Sequence, residues 1–192
     1  TQITWVSKHS RPQIESWLES HSTNRVQFTE TWSSSDGPAD AAIIATSAER
    51  HFELSQEMLK LKIPTLCEKP IAHDLFQLNE LRRLSSTSQV PYGVHLEFNY
   101  LPALSRFREL TGSMLIEEMC IEWLDPFIEN RERETKTSEL FTDILSDQLP
   151  HAWSLAKQIS NVNTHFIIEK IRSTPRETNV SCVGKSIESD FK

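Results

Sequence analysis

Through the first half of the chain, short apolar runs alternate with stretches in which apolar residues return every three or four positions. Ile3-Thr4-Trp5-Val6 is β-branched and aromatic and reads as a strand. Ser10-Arg11-Pro12 then offers an N-cap and a first-turn proline for a short helix with Ile14, Trp17 and Leu18 inward. Val26-Gln27-Phe28 predicts a second strand, and Ser33 to Pro38 a polar loop closed by a Gly-Pro turn. Ala41-Ala42-Ile43-Ile44-Ala45 is continuously apolar, as expected of a strand covered on both faces. A helix follows from about Ala48 to Leu61, with His51, Leu54, Met58 and Leu61 on one side. Pro64 to Cys67 returns as a strand. Asp74 is placed to cap a helix carrying Leu75, Leu78, Leu81 and Leu84, and Val90 to Leu96 is a further strand. Strands separated by single helices imply βαβ units and a parallel sheet.

The second half follows a different pattern. A helix over Leu101 to Leu110 leads into a long strand, Met114 to Trp123. Glu129 to Glu139 is rich in charge and reads as a solvated loop, or alternatively a lid. A helix is expected around Pro150 to Ile159, then two strands, His165 to Ile171 and Val180 to Val183, joined through Thr174-Pro175. The expected class is α/β. Residues 1–98 form a parallel-sheet domain, and 99–192 an α+β domain with a mainly antiparallel sheet.

Composition narrows the function. The 192 residues carry 20 basic and 27 acidic side chains, a formal charge of −7. That balance, with no basic run, argues against nucleic-acid binding, which needs clustered Lys and Arg to displace counterions. No apolar run approaches the ~20 residues of a membrane span, and no signal-peptide pattern is present. Cys67, Cys120 and Cys182 are odd in number and far apart, which speaks against a disulfide framework and for a reducing, cytoplasmic setting. The seven histidines form neither H-x-x-x-H nor H-E-x-x-H, and there is no C-x-x-C, so no metal site is expected. Gly37, Gly93, Gly112 and Gly184 are the only glycines and are widely spaced, so neither G-x-G-x-x-G nor a P-loop occurs. The chain opens at Thr1 almost directly in a strand, as a fragment or a processed chain would.

In an open parallel sheet, ligands collect at the carboxyl ends of the strands. Four predicted ends turn polar: Ser7-Lys8-His9-Ser10-Arg11, Ala45-Thr46-Ser47, Cys67-Glu68-Lys69-Pro70, and the stretch around His95 and Glu97. Lys69 directly follows a buried strand, where partial desolvation favours donation to a substrate oxygen, although a Glu-Lys pair in a turn is also common on plain surfaces. Asp147 and His151 lie four apart, on one face of a helix. Pro150 is tolerated there if Asp147 is the cap. The pair reads as a histidine acid/base tuned by a carboxylate, or as an N-cap beside a partly buried histidine.

Ala41-Ala42-Ile43-Ile44-Ala45-Thr46, then His51, then Leu66-Cys67-Glu68-Lys69-Pro70-Ile71-Ala72, resembles the glucose–fructose oxidoreductase / inositol dehydrogenase (Gfo/Idh/MocA) family. His95 to Leu110, with Phe98 and Pro102, looks like the link into that family's second domain, and Asp147-Gln148-Leu149-Pro150-His151 like its Asp-x-Gly-x-His helix. The resemblance covers about Ile3 to Ile159. It implies a Rossmann-like domain binding NAD or NADP, a sheet domain, and hydride transfer with a sugar, cyclitol or related alcohol. Lys69 would position the substrate hydroxyl near the nicotinamide, and His151 would be the acid/base. Asp147 would bind or assist the substrate, with His95 and Asn99 beside it. Thr46, Ser47, His51, Glu68 and Lys69 would line the cofactor groove.

Where NAD-specific folds carry an acid after the strand that binds the ribose, this chain has Ser7, Lys8 and Arg11, which points to NADP. The resemblance also has departures. The family's opening strand and glycine-rich turn are missing, its arginine three residues before the linker proline is Asn99, and its motif glycine is Leu149. The chain therefore looks like a truncated member. Two other readings stay open: a cofactor-independent lyase, dehydratase or cyclase, and a non-catalytic subunit. A homo-oligomer or a complementary subunit would suit any of them.

Overall fold

The computed structural model describes residues 2–7, 11–20, 25–112, 119–122, 128–131, 134–137, 144–160, 164–174 and 177–186. The chain divides into two units, Thr1–Asp40 and Ala41–Lys192.

In the first unit, strand β1 (Ile3–Val6), helix α1 (Arg11–Ser20) and strand β2 (Val26–Thr29) form a βαβ unit. The two strands are parallel, with Ile3 opposite Val26 and Val6 opposite Thr29. Ile14 of α1 is buried, and Trp5 and Trp17 meet edge to face with centroids 6.2 Å apart. The polar stretch after β2 contains a single 3₁₀ turn, Ser34–Asp36, where the Asp36 carboxylate accepts from the Ser33 backbone N–H at 2.6 Å.

The second unit opens with β3 (Ala42–Ile44), α2 (Ala48–Lys60), β4 (Thr65–Glu68), α3 (Leu75–Ser88) and β5 (Tyr92–His95). The three strands form one parallel sheet in the order β3-β4-β5. The core lies between β4 and the helices: Leu59 of α2, Leu81 of α3 and Cys67 of β4 are all nearly inaccessible. α2 turns Ala48, His51, Ser55, Met58 and Leu59 inward, so the buried stripe includes two polar side chains and leaves Leu61 exposed. Ser55 pairs with the Tyr92 hydroxyl at 2.9 Å, which satisfies both in the interior. The expectation that β3 is covered on both faces needs correcting: Ile44 is buried but Ile43 is 77% exposed. β3 pairs only with β4 in this sheet and packs against α2, so one face of the strand is covered.

A 3₁₀ turn at Glu97–Tyr100 leads to α4 (Pro102–Thr111), which has proline in its first turn. Met119 to Glu122, the described part of the expected long strand, alternates between half-buried and exposed but is not a strand; the rest of that expectation lies outside the described residues. The charge-rich stretch is no plain loop. β6 (Ile128–Arg131) and β7 (Glu134–Thr137) form an antiparallel hairpin whose register sets Glu129 opposite Lys136 and Arg131 opposite Glu134. The stretch is charged and polar almost throughout, so periodicity alone misses it. α5 (Ile144–Ser160) starts six residues before the expected Pro150. It packs against α4, the 97–100 turn and β8. β8 (Thr164–Thr174) and β9 (Glu177–Ser186) form the expected closing antiparallel pair, longer than the apolar runs suggest.

Candidate active site

The site grows from the exit of β4. The strand buries Thr65 and Cys67 and turns out at Glu68, so Lys69 leaves the sheet edge-on, followed by a cis peptide bond to Pro70. Cys67 packs in the core, and burial pushes its thiol pKa up. Lys69 Nζ reaches across to α5, where it donates to Asp147 Oδ1 at 2.5 Å and to the Asp147 main-chain oxygen at 3.2 Å. The two side chains are 17% and 32% exposed, and the pair joins residues 78 apart in sequence. A cation and a carboxylate held this close and partly desolvated interact more strongly than a surface pair.

Asp147 sits within the first turn of α5, not at its cap, so Pro150 lies inside the helix; here the structure corrects the sequence reading. The proline removes the amide that would bond the Ser146 carbonyl. Gln148 Nε2 donates to Asp147 Oδ2 at 2.6 Å, so each oxygen of the carboxylate has its own donor. One turn further, His151 is buried and packs edge-on against the Phe98 ring, with centroids 5.1 Å apart. Its pKa lies below the ordinary histidine value, first because of burial and then because of the Lys69 charge; Glu97, Asp147 and Glu68 pull it back up. Ser154 Oγ donates to the His151 carbonyl at 2.8 Å.

A second pair stands on the neighbouring strand. Glu68 and His95 face one another in the β4–β5 register, and Glu68 Oε1 meets His95 Nδ1 at 2.5 Å. The His95 ring stacks on Tyr100, with centroids 5.9 Å apart and planes inclined by 17°. His51 is buried beneath these turns, its ring nitrogens against the Pro70 and Thr46 carbonyl oxygens at 2.8 and 3.0 Å. Thr46 and Ser47 lie exposed where β3 gives way to α2.

Asn99 is tied elsewhere. Its Oδ1 accepts from Gln158 Nε2 at 3.1 Å, and Gln158 in turn accepts from Arg108 of α4, so Asn99 meets α5 two turns beyond His151. In the first unit Ser7 follows β1, its amide bonded to Thr29 O at 3.0 Å, and Arg11 opens α1; Lys8 lies outside the described residues. Among the described residues no group of three or more His, Cys, Asp or Glu side chains is placed to hold a metal ion.

Lys69, Asp147, His151, Glu68 and His95 are thus brought together by the second unit. The sequence reading placed Phe98 in the link between domains but not in the site, and assigned no role to Gln148 or Tyr100. Gln148 sits inside the motif that drew attention, and its position beside Asp147 was the available signal. The ring contacts depend on the 97–100 turn, whose 3₁₀ form the sequence pattern did not indicate.

Parallel βαβ units that carry a polar cluster at the carboxyl ends of their strands define a Rossmann-like α/β protein. Residues 1–96 match the Gfo/Idh/MocA family, described as an oxidoreductase family with an NAD-binding Rossmann fold, and the chain belongs to that family. It is 29% identical over 111 residues to myo-inositol dehydrogenase Hyg17 of Streptomyces leeuwenhoekii, an alignment covering 55% of this chain and 34% of that protein. Among solved structures, an oxidoreductase from Agrobacterium radiobacter in complex with NAD+, L-tartaric acid and magnesium shares the fold with a TM-score of 0.61. That match, at 20% identity, covers 91% of this chain and 51% of the other. An oxidoreductase from Thermotoga maritima matches with a TM-score of 0.65 at 17% identity, over 94% of this chain and 59% of its own. The chain thus spans about a third of the inositol dehydrogenase and somewhat over half of these structural relatives.

Proposed function

We propose that this chain carries the acid/base site and the nicotinamide end of the cofactor groove of an NAD(P)-dependent oxidoreductase acting on a sugar, cyclitol or related small hydroxy compound. The observation that carries the reading is the 2.5 Å pair between Lys69 and Asp147, which joins the strand-end Glu-Lys-Pro to the helix bearing His151. In this reading the Lys69 ammonium, aimed by Asp147, donates to the substrate oxygen and stabilises negative charge as it develops there. His151, held neutral near pH 7 by burial and by Lys69, accepts the hydroxyl proton during oxidation and returns it in the reverse direction. In this reading Glu68 and His95, paired at 2.5 Å, offer hydrogen bonds to further substrate hydroxyls.

The exposed Thr46 and Ser47, with Glu68 and Lys69 at the next strand end, suit the nicotinamide and ribose end of a dinucleotide. The nicotinamide, when bound, supplies the hydride acceptor or donor. The sequence holds no glycine-rich turn for a pyrophosphate, so no residue is assigned to that part of the cofactor. Ser7, Lys8 and Arg11, with no acid among them, favour the phosphorylated cofactor.

The test is an assay of uncharged cyclitols and sugars with NADP+ and NAD+, followed by the absorbance of the reduced nicotinamide. Wild type is compared with Lys69→Ala and His151→Ala. Each variant is expected to lose roughly 10²- to 10⁴-fold in turnover. Wild-type rates in both variants would overturn the assignment. Conversion without nicotinamide, lost in both variants, would support a cofactor-independent acid/base enzyme instead.

A further inference from the structure

His51 is 1% exposed, and the chemistry outlined above makes no use of it. An imidazole is a costly choice for a buried helix position unless its polar atoms are paired. Both of its nitrogens are placed against main-chain oxygens, Nδ1 at 2.8 Å from Pro70 and Nε2 at 3.0 Å from Thr46. Carbonyl oxygens only accept, so the ring is the donor wherever these contacts are hydrogen bonds. The two carbonyls belong to different turns. Thr46 follows β3, while Pro70 follows β4 and is the residue next to Lys69.

We infer that His51 is a positioning residue, which donates from Nδ1 to the Pro70 carbonyl from within the helix layer and so fixes the direction in which Lys69 leaves the sheet. The inference rests on the reading of Lys69 as a site residue. His51 touches no reacting atom; it acts through the backbone of the turn. A small rotation at Pro70 is magnified along the lysine side chain, whose Nζ must reach Asp147 at 2.5 Å. An apolar side chain of similar volume would fill the same space and leave the Pro70 carbonyl without the ring as a donor.

The His151 ring reports the position of Lys69 without any need for turnover, because the Lys69 charge lowers its protonation midpoint. The other charged groups acting on it are Glu97, Asp147 and Glu68. The experiment is an NMR titration of His151 in the full chain and in four variants. Lys69→Met sets the reference, an upward shift. His51→Phe is expected to shift the midpoint upward by at least half as much, and His51→Gln, which keeps a donor, by clearly less. Leu59→Ala, on the same helix and equally buried, is expected to lower stability without moving the midpoint.

A folded His51→Phe protein with the wild-type midpoint, alongside a shifted Lys69→Met, overturns the inference and leaves the site reading standing. An unmoved Lys69→Met overturns the site reading, and the inference with it. Where the His51 variants do not fold, the wild-type ring decides. A His51 N–H protected from exchange and scalar-coupled to the Pro70 carbonyl is expected, and one exchanging as freely as that of exposed His73 overturns the inference.

Discussion

At the scale of single residues, Asp147 has the busiest carboxylate in the site, with Lys69 on one oxygen and Gln148 on the other. Asp147→Asn removes the charge that aims Lys69 and that raises the His151 midpoint. We therefore expect turnover to fall by about 10²-fold or more, together with a His151 midpoint below that of wild type by NMR. His151 also sets a pH dependence. Its folded pKa lies below the ordinary value of about 6.5, so the unfolded chain takes up this proton more readily than the folded one. The stability it contributes is complete above about pH 6.5 and declines as the pH falls below that value. Denaturant midpoints between pH 7.5 and pH 5 should show this decline in wild type and a weaker one in His151→Phe. Lys69, Asp147 and His151 were legible in the sequence because a charged pair at a strand end and a four-residue spacing are visible in one dimension. The clamp at His51 was not, since its partners are main-chain carbonyls, which every residue has.

At the scale of elements, caps and breaks were the readable features. Asp74 was expected to cap α3, and its Oδ1 accepts from the Gln77 amide at 2.7 Å. Asp74→Ala should cost about 1 kcal/mol in urea unfolding, while Leu81→Ala, at a core position 1% exposed, should cost about 2–5 kcal/mol. α3 ends at Gln89, whose φ of 57° lies in the left-handed region. Gln89→Gly should therefore raise stability by up to about 1 kcal/mol. The helix that carries the site was the less legible one. A proline within α5 reads as a start in sequence, whereas the helix runs through it from Ile144. The β6–β7 pair was hidden for a different reason: its sequence is charged and polar almost throughout, a pattern that does not separate a strand from a loop.

At the scale of the molecule, the parallel βαβ order and the antiparallel close follow from the alternation of patterns, and the family follows from residues 1–96. That β3 pairs with β4 alone among the described residues was not legible, because a run of apolar residues shows that a strand is sticky but not how many neighbours it has. No helix among the described residues is long and apolar enough to cross a membrane. The cofactor reading is best tested by titrating the chain with NADPH and then NADH while following tryptophan fluorescence. Saturable binding, tighter for NADPH and weakened in a Lys69→Ala protein of unchanged fold, is the predicted result. A folded chain that binds neither nucleotide at millimolar concentration would contradict a cofactor groove at these strand ends.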